Sequence, residues 1–598
     1  MTAHPPLSLR LGLSARGKIW RSRLTQEQDA QAVAITQQTD IPDSVARILA
    51  ARGVGPAEAE AYLDPSLRSL MPDPDVLVDM GPLVARLVQA VQTHETVAVF
   101  GDYDVDGACS AALMMHYLDA LGCPTLVHIP DRIFEGYGPN AEAVRALAAQ
   151  GATLLICVDC GTMSFEPFAV ARALNMDVLV LDHHQAPEHL PDVVALVNPN
   201  RQDDISGLGY LCAAGVVYMA LVAVTRALRQ RGLWPEASAP DLLQALDLVA
   251  LATVADVVPL KGLNRAYVVK GLAVMKLRQR PGLRALMDVA GLDGPPNTYH
   301  LGFLLSPRIN AGGRIGDAAM GVRLLTTLDE ELAVSLAVQL DRLNGERQAI
   351  EAAALMEAEA QALSQVGLEQ VREGVLLVAE EGWHPGVMGL VAARLKEKFT
   401  LPAFAIAWSG ETGTGSGRSI AGVDLGAAVR KAAEAGLIVK GGGHAMAAGV
   451  TLRREQQKPF QTFLNEHLAQ AIAEAKADAS LLVDSVLHPR AMQMDLIHQL
   501  EHAGPFGSAS PEPVFVLPDM RIVDAVEVGT GHLRVRLRGQ DGTMVKAMAF
   551  RALGTELGNA LRAGQSAASV AVAGTLSVNR WGGREDVQFR ITDISQMG

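Results

Sequence analysis

The sequence of 598 residues has few cysteines, no apolar run long enough for a membrane and no excess of positive charge. Its 5 cysteines cannot form a disulfide framework in a chain of this length, which indicates a reducing, cytoplasmic environment. The longest apolar stretch, residues 211–225, is shorter than the ~18–20 residues that a membrane span needs. The N-terminus also lacks the apolar core of a signal peptide. We therefore expect a cytoplasmic protein that is not held in a membrane.

The net charge of −14 excludes a protein that coats nucleic acid with its whole surface, but it does not exclude a local basic channel. Cys157 and Cys160 form a C-x-x-C pair, and the sequence has no second cysteine pair that would complete a zinc site. We expect buried thiols at these positions rather than a redox or zinc centre.

Length alone suggests three to five domains, and the order of the apolar segments indicates their type. From residue 96 to 200, short apolar strands alternate with helices, which predicts a parallel α/β sheet with its chemistry at the carboxyl ends of the strands. Residues 329–365 have few helix breakers and predict a rod of roughly 55 Å. We expect this rod to connect two lobes; the alternative is a helix packed along one domain.

A second α/β lobe is predicted from the strand–helix–strand pattern of residues 373–408, followed by Gly-rich turns at 412–419 and 440–449. The last part alternates with period two, which predicts an antiparallel five-stranded barrel of the OB type. The predicted fold is therefore α/β, with two α/β lobes joined by a long helix and a C-terminal β-barrel. Its predicted parts are an N-terminal segment (1–45), a first lobe (46–328), the connecting helix (329–366), a second lobe (367–478) and the barrel (479–598).

Acidic residues cluster where the predicted strands of the first lobe end. Asp102, Asp104 and Asp106 alternate after an apolar run, and residues two apart on a strand point to the same face. Without a partner, such carboxylates raise one another's pKa and reduce stability, whereas a bound divalent cation stabilises them. Further candidates follow two later strands or lie in an apolar segment: Asp159, Asp182, His183, His184 and Asp256.

This set of ligand types predicts the metal and the reaction class. Carboxylates with a little imidazole suit Mn²⁺ or Mg²⁺ better than a thiolate-type zinc site does. The set is large enough for two ions, which in hydrolases lie ~3.5–4 Å apart and clamp the attacking and leaving oxygens of phosphoryl transfer. A single Asp after a strand is more often a helix cap, so the prediction of a two-metal hydrolase depends on the whole set.

Four motifs resemble those of the DHH phosphoesterase superfamily: GDYDVDG (101–107), VDCGT (158–162), DHH (182–184) and ATVADVVPL (252–260). Longer motifs are similar to those of the bacterial RecJ nuclease family: DRIFEGYG (131–138), INAGGRIG (309–316), residues 380–407, GSGRS (415–419) and GGGHAMAAG (441–449). The resemblance runs from about residue 40 to the C-terminus. It departs from the family pattern in the linker 504–513, where Ala509 and Ser510 replace a Gly and an Asn.

The resemblance implies a single-strand-specific DNA exonuclease that digests from the 5′ end, releases mononucleotides and acts in recombination and repair. It implies dependence on two Mn²⁺ or Mg²⁺ ions, with a single-strand-binding protein and a RecQ-type helicase as partners; we also expect a monomer. The first lobe would be a DHH catalytic domain, the second a DHH-associated substrate-binding domain, and the barrel an OB-fold nucleic-acid-binding domain. The alternatives are a DHH phosphodiesterase acting on short oligoribonucleotides or cyclic dinucleotides, and a catalytically inactive replication scaffold.

The resemblance also implies roles for the acidic cluster. By family position, the direct metal ligands would be Asp104, Asp106, Asp159, His183 and Asp256. Asp102 would be a further ligand or a close neighbour of the ligands, and Asp182 would orient a histidine. His184 would face the scissile phosphate or help protonate the leaving oxygen; the alternative is a structural histidine.

Candidate contacts to the substrate lie in both lobes. In the first lobe, Arg308, Asn310 and Arg314 lie among glycines that are expected to let the backbone approach a phosphate; the alternative is loop-stabilising salt bridges. In the second lobe, the expected contacts are the backbone of Gly441, Gly442 and Gly443 and the side chains of His444, Arg418 and Ser419.

Two further sets of residues are candidates for contacts to bases and backbone. Tyr137 either stacks on a base or packs inside the lobe. In the barrel, Arg534, Arg536 and Arg538 are expected on one strand face, with Trp581 between basic residues. Basic residues interleaved with an aromatic side chain suit single-strand binding, and the alternative is a solvated strand face.

Overall fold

A computed structural model of the chain describes residues 9, 11–131, 134–235, 239–367, 374–477, 480–566, 569–581 and 584–597. The chain divides into two compact units. The first unit comprises residues 1–70, 259–266 and 479–598, and the second comprises residues 71–258 and 267–478. In the part of the chain that the structure describes, no helix combines the length and the apolar character needed to cross a membrane.

The N-terminal part of the first unit contains one strand and four short helices. In chain order these are β1 (Ile19–Ser22), α1 (Gln26–Gln38), α2 (Asp43–Ala51), α3 (Ala59–Leu63) and α4 (Leu67–Leu70). Helix α1 begins at a capping box, in which the Thr25 hydroxyl accepts from the backbone N–H of Gln28 and the Gln28 side chain accepts from the backbone N–H of Thr25.

The first lobe, whose residues 71–258 and 267–326 lie in the second unit, is a parallel sheet with helices. In chain order the elements are α5 (Met80–Thr93), β2 (Val97–Gly101), α6 (Val105–Ala120), β3 (Thr125–His128), α7 (Ala141–Ala149), β4 (Leu154–Val158), α8 (Phe165–Ala173), β5 (Asp177–Leu181), β6 (Ala195–Val197), α9 (Ala213–Gln230), α10 (Leu246–Ala255), α11 (Gly262–Met275), α12 (Pro281–Val289), α13 (Ser306–Ile315) and α14 (Met320–Thr326). The strand order is β3–β2–β4–β5–β6, and every pairing is parallel. The central strands β2 and β4 are buried along their whole length, which explains why they read as uninterrupted apolar runs.

One long helix leads from the first lobe to the second. The elements that follow are α15 (Glu330–Gly367), β7 (Leu376–Glu381), α16 (Met388–Phe399), β8 (Ala403–Ser409), β9 (Thr412–Arg418), α17 (Leu425–Glu434), β10 (Lys440–His444), β11 (Ala447–Arg453) and α18 (Gln457–Ala477). The sheet order is β10–β11–β9–β8–β7; β7 and β8 are parallel and the other pairings are antiparallel.

Helix α15 is a connector, as the sequence predicts. Its 38 residues give a length of about 57 Å at 1.5 Å per residue. It contacts α12, α13 and α14 of the first lobe and α16 and β7 of the second. Leu336 and Leu340 are buried in its first half, whereas Ala354, Ala358 and Ala362 in its second half join the core of the second lobe. The alternative of a helix packed along a single domain is therefore wrong.

The C-terminal part forms a closed barrel. Its elements are β12 (Ser480–Val483), β13 (Ser485–Val486), α19 (Met494–Ala503), β14 (Phe515–Val528), β15 (His532–Arg538), β16 (Met544–Ala549), α20 (Glu556–Ala563), β17 (Val570–Trp581) and β18 (Arg584–Gln596). The barrel order is β14–β15–β16–β18–β17, closed by the pairing of β17 with β14. Only the β16–β18 pairing in this ring is parallel. The predicted five-stranded barrel of the OB type is confirmed.

The compact units divide the chain differently from the predicted boundary between residues 45 and 46. Strand β1 pairs in parallel with β12, and the buried Trp20 donates its indole N–H to Asp593 at 3.1 Å. Apolar residues of α1 and α2 share one core with the barrel, including Ile35, Val45 and Phe515. Residues 46–70 therefore belong with the barrel rather than with the first lobe, because the apolar faces of these helices are buried against it.

Three segments that the sequence predicts as turns or loops are regular structure. Residues 412–418 form β9, and residues 440–453 form the hairpin of β10 and β11. The Arg308 segment forms α13, which follows a π-helical turn at His300–Leu305. Glycine allows these elements to pack closely: a Cβ on Gly415 would lie 2.7 Å from the Ile406 side chain. The sequence does depart from its family pattern at a strained position, since Ala509 has a left-handed φ of 54°.

Candidate active site

The first three acids converge through a strand, a loop and a helix start. Asp102 directly follows β2 and is buried. Asp104 is the N-cap of α6, and its Oδ1 accepts hydrogen bonds from the backbone N–H groups of Asp106 and Gly107 at 2.9 and 3.1 Å. Asp106 lies in the first turn of that helix. The sequence analysis predicts that these acids converge because they alternate along a pleated strand. This reason is wrong, since Asp104 and Asp106 lie at the start of a helix.

Asp106 is held by the start of another helix. Its Oδ2 accepts from the Ala213 N–H at 2.7 Å and its Oδ1 from the Ala214 N–H at 2.9 Å. These two amides form the N-terminus of α9, where free N–H groups and the helix dipole stabilise negative charge. The carboxylate is fixed in this way although burial raises its pKa.

Asp159 presents a buried oxygen to the cluster. It follows β4 with a φ of 61°, a left-handed conformation that Asp tolerates better than most residues. Its Oδ1 is buried and accepts no hydrogen bond among the described residues. The Nε2 of His183 lies 3.3 Å from this atom. Burial and the carboxylates of Asp106 and Asp104 raise the pKa of Asp159 well above its usual range.

His183 is oriented as a metal ligand. Its Nδ1 lies 3.1 Å from the carbonyl oxygen of Leu211 and donates to it, which leaves the Nε2 lone pair for the cluster. This Nε2 faces Asp159, Asp256 and Asp106 at 3.3, 3.6 and 3.8 Å. Burial lowers the pKa of His183, which favours the neutral ring that a metal requires.

Asp182 organises the two histidines. Its Oδ1 accepts from the backbone N–H groups of His183 and His184 and from His184 Nδ1, the last at 2.8 Å. Its Oδ2 accepts from the backbone N–H and the hydroxyl of Thr162, the latter at 2.6 Å. Burial alone would raise the pKa of this carboxyl, but the hydrogen bonds and the neighbouring imidazoles hold it well below its usual range.

His184 and Tyr137 lie at the edge of the cluster. Burial alone would lower the pKa of His184, but its hydrogen bond to Asp182 raises that pKa to about 9. The Tyr137 hydroxyl donates to the Asp159 carbonyl at 3.1 Å and lies 3.1 Å from His184 Nδ1. The Tyr137 ring meets the His184 ring edge-on and is 52% exposed. Tyr137 therefore packs through its hydroxyl while its ring stays open to solvent.

Asp256 completes the cluster from the end of α10. Burial and the carboxylates of Asp106 and Asp104 raise its pKa well above the usual range. Ligand atoms lie within 4.8 Å of one another in three groups: Asp159, His183 and His184; Asp106, His183 and Asp256; and Asp102, Asp104 and Asp159. The structure thus brings together every acid and histidine that the sequence predicts for this site.

The donor set fits divalent metal ions. Raised carboxylate pKa values mark a cluster in which negative charge is buried without enough positive charge to balance it. The buried Asp159 Oδ1 accepts no hydrogen bond from the described residues, although a buried carboxylate oxygen normally needs a donor. A hard cation such as Mn²⁺ or Mg²⁺ satisfies both conditions, since it prefers oxygen ligands with some imidazole.

Sequence reasoning missed the residues that support the histidines. Asn198 is buried and donates from Nδ2 to the Thr162 hydroxyl and to the His184 carbonyl, both at 2.9 Å. Asn200 donates from Nδ2 to the His183 carbonyl. Both residues could have been found from the Asn-Pro-Asn sequence at 198–200, which directly follows β6 at the same sheet edge as the acids.

Helix α13 runs beside the acidic loop. A Cβ on Gly313 would lie 2.6 Å from the Tyr103 carbonyl oxygen, so this helix touches the loop at a glycine. Arg308 pairs with Asp341 at 2.9 Å, which agrees with the alternative of a structural salt bridge. Arg314 donates to the Gly386 carbonyl at 2.8 Å and so joins the two lobes. Asn310 Oδ1 is buried and accepts no hydrogen bond among the described residues.

The predicted contacts of the second lobe lie on its Gly-rich strands. Arg418 ends β9, and its guanidinium donates to the Ser416 hydroxyl at 3.0 Å. His444 is exposed at the end of β10, next to Gly441, Gly442 and Gly443 on that strand. The Gly443 carbonyl accepts from Arg430 at 2.8 Å. Ser419 does not fit its predicted role, because its buried hydroxyl donates to the Val423 carbonyl at 2.7 Å.

The barrel places the predicted arginines on one face. Arg534, Arg536 and Arg538 are all exposed on β15, where they alternate with buried residues. Arg536 forms an ion pair with Asp524 on the neighbouring strand. Trp581 ends β17, and its side chain lies outside the described part of the chain.

Three family models match the chain. The N-terminal domain of the DHH family matches residues 96–253, the DHHA1 domain matches residues 372–472, and the RecJ OB domain matches residues 483–593. Together they cover the acidic cluster except Asp256, the Gly-rich hairpin and most of the barrel.

Known relatives match over nearly the whole chain. A single-stranded-DNA-specific exonuclease RecJ of Escherichia coli is 35% identical over 567 residues, which covers 93% of this chain and 96% of the relative. The crystal structure of RecJ with Mn²⁺ from Thermus thermophilus has a TM-score of 0.76 and 29% identity, and it covers 94% of this chain and 78% of that one. The same enzyme with Mg²⁺ has a TM-score of 0.70 and 28% identity, covering 95% of this chain and 77% of that one. The chain therefore belongs to the RecJ family of single-stranded-DNA-specific exonucleases.

Proposed function

We propose that this chain is a metal-dependent exonuclease that digests single-stranded DNA from its 5′ end and releases 5′-mononucleotides. The observation that carries the proposal is the convergence of six candidate metal ligands in the first lobe, in a chain that aligns over nearly its whole length with single-stranded-DNA-specific exonucleases. The resemblance supports action in recombination and repair, with a single-strand-binding protein and a RecQ-type helicase as partners. Five buried thiols without disulfides support a cytoplasmic location.

Six residues would hold two Mn²⁺ or Mg²⁺ ions. The first group of ligands is Asp106, His183 and Asp256, and the second is Asp102, Asp104 and Asp159. Asp159 also lies 3.3 Å from the Nε2 of His183, so it lies beside both groups of candidate ligands. When bound, the ions would supply Lewis-acid activation of water and neutralisation of phosphate charge.

The remaining residues of the site would position the substrate. Asp182 holds the Nδ1 of His184, which leaves Nε2 of that ring to face the scissile phosphate or the leaving oxygen. The Tyr137 hydroxyl lies 3.1 Å from the same Nδ1, and the exposed Tyr137 side chain lies beside the His184 ring. A protein nucleophile would not be needed, since a water molecule would supply the attacking oxygen.

The second lobe would hold the DNA strand opposite the acidic cluster. The lobes meet where Arg314 donates to the Gly386 carbonyl, in a short 3₁₀ turn at Pro385–Val387. A Cβ added to Gly442 of the hairpin would meet no atom within 4 Å, so the backbone there is open to a phosphate, and His444 is exposed beside it. A passage between the two lobes would admit one strand and exclude duplex.

The test compares substrates and ends. Purified protein with Mn²⁺ is given oligonucleotides labelled at the 5′ or the 3′ end, as single strands and as blunt duplexes, and a dinucleotide of RNA. We expect immediate release of a labelled mononucleotide from the 5′-labelled single strand and slow loss of the 3′ label. Equal digestion of blunt duplex would contradict the single-strand selectivity. Faster hydrolysis of the dinucleotide would support the small-substrate alternative instead, and full activity of Asp159→Ala would contradict the metal assignment.

A further inference from the structure

The carboxylate of Asp256 is held differently from the other acids around the cluster. Backbone N–H groups donate to the carboxylates of Asp104, Asp106 and Asp182. Among the described residues, no hydrogen bond reaches the Asp256 side chain, and its Oδ2 lies 3.6 Å from the Nε2 of His183. The position of this carboxylate therefore depends on the backbone that carries it.

The backbone directly after Asp256 is strained. Val257 has a left-handed φ of 58°, which is a genuine outlier for a β-branched residue. Its side chain is 68% exposed, so side-chain packing does not hold it in this conformation. Such a residue persists only where the surrounding structure fixes the chain on both sides. Before the strained residue, the Asp256 N–H donates to the Ala252 carbonyl at 2.9 Å, at the end of α10.

After the strained residue, the chain enters the first compact unit. Residues 259–266, here called the anchor segment, belong to that unit together with the barrel. The Leu260 N–H donates to the Ser508 carbonyl at 2.9 Å, and a Cβ on Gly507 would lie 2.8 Å from the Leu260 side chain. The start of the anchor segment is therefore packed closely against the linker 504–513.

Arg265 fixes the other end of the anchor segment. It is only 2% exposed, and its guanidinium donates to the carbonyls of Tyr62, His502 and Gly504. The guanidinium carbon also lies 3.9 Å from the centre of the Tyr62 ring. These carbonyls lie at the C-terminal ends of α3 and α19, where free carbonyl groups and the helix dipole favour a cation. Arg265 thus binds the anchor segment to two helices of the first unit.

We propose that Arg265 is a positioning residue for Asp256, through which the first unit sets the affinity of one metal ion. Arg265 holds the anchor segment, and the anchor segment holds Val257 in its left-handed conformation. This conformation keeps the Asp256 carboxylate in the cluster. The inference rests on metal binding by Asp256, which is part of the proposed function. Asp256 belongs to only one of the two groups of ligands, so the effect is confined to one ion.

The test measures Mn²⁺ binding to the full chain by isothermal titration calorimetry without DNA. Arg265→Ala should raise the dissociation constant of one ion about 10-fold and change that of the other less than 2-fold. A 10-fold change equals ~1.4 kcal/mol, which is of the order of the strain in one residue held in the left-handed region. Arg265→Lys should keep part of the affinity, because its ammonium group donates to carbonyls but lacks the planar fork.

Arg52→Ala is the matched control. Arg52 donates to the Ala503 carbonyl at 2.6 Å and to the Tyr62 hydroxyl at 3.2 Å, so it binds the same end of α19 from outside the anchor segment. Both alanine variants should lower the melting temperature, since both leave carbonyls at helix ends without a donor. Only Arg265→Ala should weaken Mn²⁺ binding. Equal Mn²⁺ affinities of Arg52→Ala and Arg265→Ala would overturn the proposal.

Val257→Asn tests the role of the strained residue. Asn adopts the left-handed conformation more readily than Val does, and the exposed side chain loses little packing. In this background, Arg265→Ala should raise the dissociation constant less than 3-fold, because the backbone needs less support. The double-mutant cycle isolates this coupling from a general loss of stability. An equal loss of affinity in both backgrounds would show that the anchor segment does not act through Val257 and would overturn the proposal.

Asp256→Asn separates this proposal from the proposed function. Weaker binding of one ion in Asp256→Asn, with unchanged binding in Arg265→Ala and Arg265→Lys, would contradict the positioning role and support the metal assignment. Unchanged Mn²⁺ binding in Asp256→Asn would contradict the metal assignment and the positioning role together. In hydrolysis, Arg265→Ala should need about 10-fold more Mn²⁺ for half-maximal kcat and keep its KM for single strands. An unchanged Mn²⁺ requirement would contradict the positioning role.

Discussion

Replacing Asp159 by Asn should make the metal-free protein more stable and at the same time remove its response to metal. The buried Oδ1 of Asp159 accepts no hydrogen bond among the described residues, and burial with nearby carboxylates raises the pKa of this group. Leaving a buried acceptor unsatisfied costs about 1–3 kcal/mol, and more for a charged group. We expect a gain of about 1–2 kcal/mol in EDTA at neutral pH, which for a unit of this size corresponds to a melting temperature higher by about 1–3 °C. Asn is the appropriate replacement because it tolerates the left-handed φ of 61°.

The same variant should not respond to Mn²⁺. In the wild type, a ligand at 100 times its dissociation constant stabilises the folded state by about 2.7 kcal/mol. The assay is differential scanning calorimetry in EDTA and in Mn²⁺, with exonuclease activity measured in parallel. Asp159→Asn should show a higher melting temperature in EDTA, a smaller increase with Mn²⁺ and no activity.

Asp182→Asn is the control, because it should lower the stability of the metal-free protein instead of raising it. Asp182 accepts five hydrogen bonds, three on Oδ1 and two on Oδ2, and an amide in its place keeps only one acceptor. Hydrogen bonds to charged groups contribute ~1.5–3 kcal/mol each, so this variant should lose about 3 kcal/mol both with and without metal. A lower melting temperature of metal-free Asp159→Asn, or a normal response of that variant to Mn²⁺, would refute the reasoning.

Three further predictions concern the scaffold. Arg86→Ala should lower the free energy of unfolding, measured in urea at neutral pH, by about 3–5 kcal/mol, because the buried guanidinium forms a bidentate pair with Glu95. Burial alone would raise the pKa of Glu95, but its ion pair with Arg86 holds that pKa below the ordinary value of 4.5. The stabilisation from this pair is therefore present above pH 4.5. The difference in unfolding free energy between wild type and variant should shrink as the pH falls below that value. Gly313→Ala should reduce kcat at least 10-fold, since its Cβ would lie 2.6 Å from a carbonyl oxygen of the acidic loop, whereas Gly345→Ala on α15, with no atom nearby, should keep full activity. Trp20→Ala should cost about 3–5 kcal/mol in thermal unfolding of the barrel unit, and a loss below 1 kcal/mol would show that β1 is not part of its core.

Much of the fold follows from periodicity that the sequence displays directly. Strands β2, β4 and β5 are short apolar runs, and β15 alternates buried and exposed residues. The Gly-rich strands could not be predicted in this way, because a strand such as β9 has no apolar pattern. Its glycines lie against large side chains such as Phe404, so that the partner strand supplies the bulk that β9 lacks.

The acids of the site could be predicted because each one lies at or just beyond the end of an apolar strand or helix. The groups that hold these acids in place could not be predicted. The amides that bind Asp106 come from Ala213 and Ala214, more than 100 residues later, and no side chain marks them. The same applies to the boundary at residue 45, since only the three-dimensional core shows that Ile35 and Val45 are buried with Phe515.

The support of Asp106 by α9 has a consequence for the order of synthesis and folding. The cluster takes its parts from separate segments of the chain, and the last of them, Asp256, is translated after the α9 amides that fix Asp106. Contacts of such long sequence separation form late in folding, because the loop entropy must be overcome first. A nascent or partly folded chain therefore presents scattered carboxylates instead of a metal site. Nuclease activity would begin only when the first lobe is complete, so metal binding reports that the domain has finished folding.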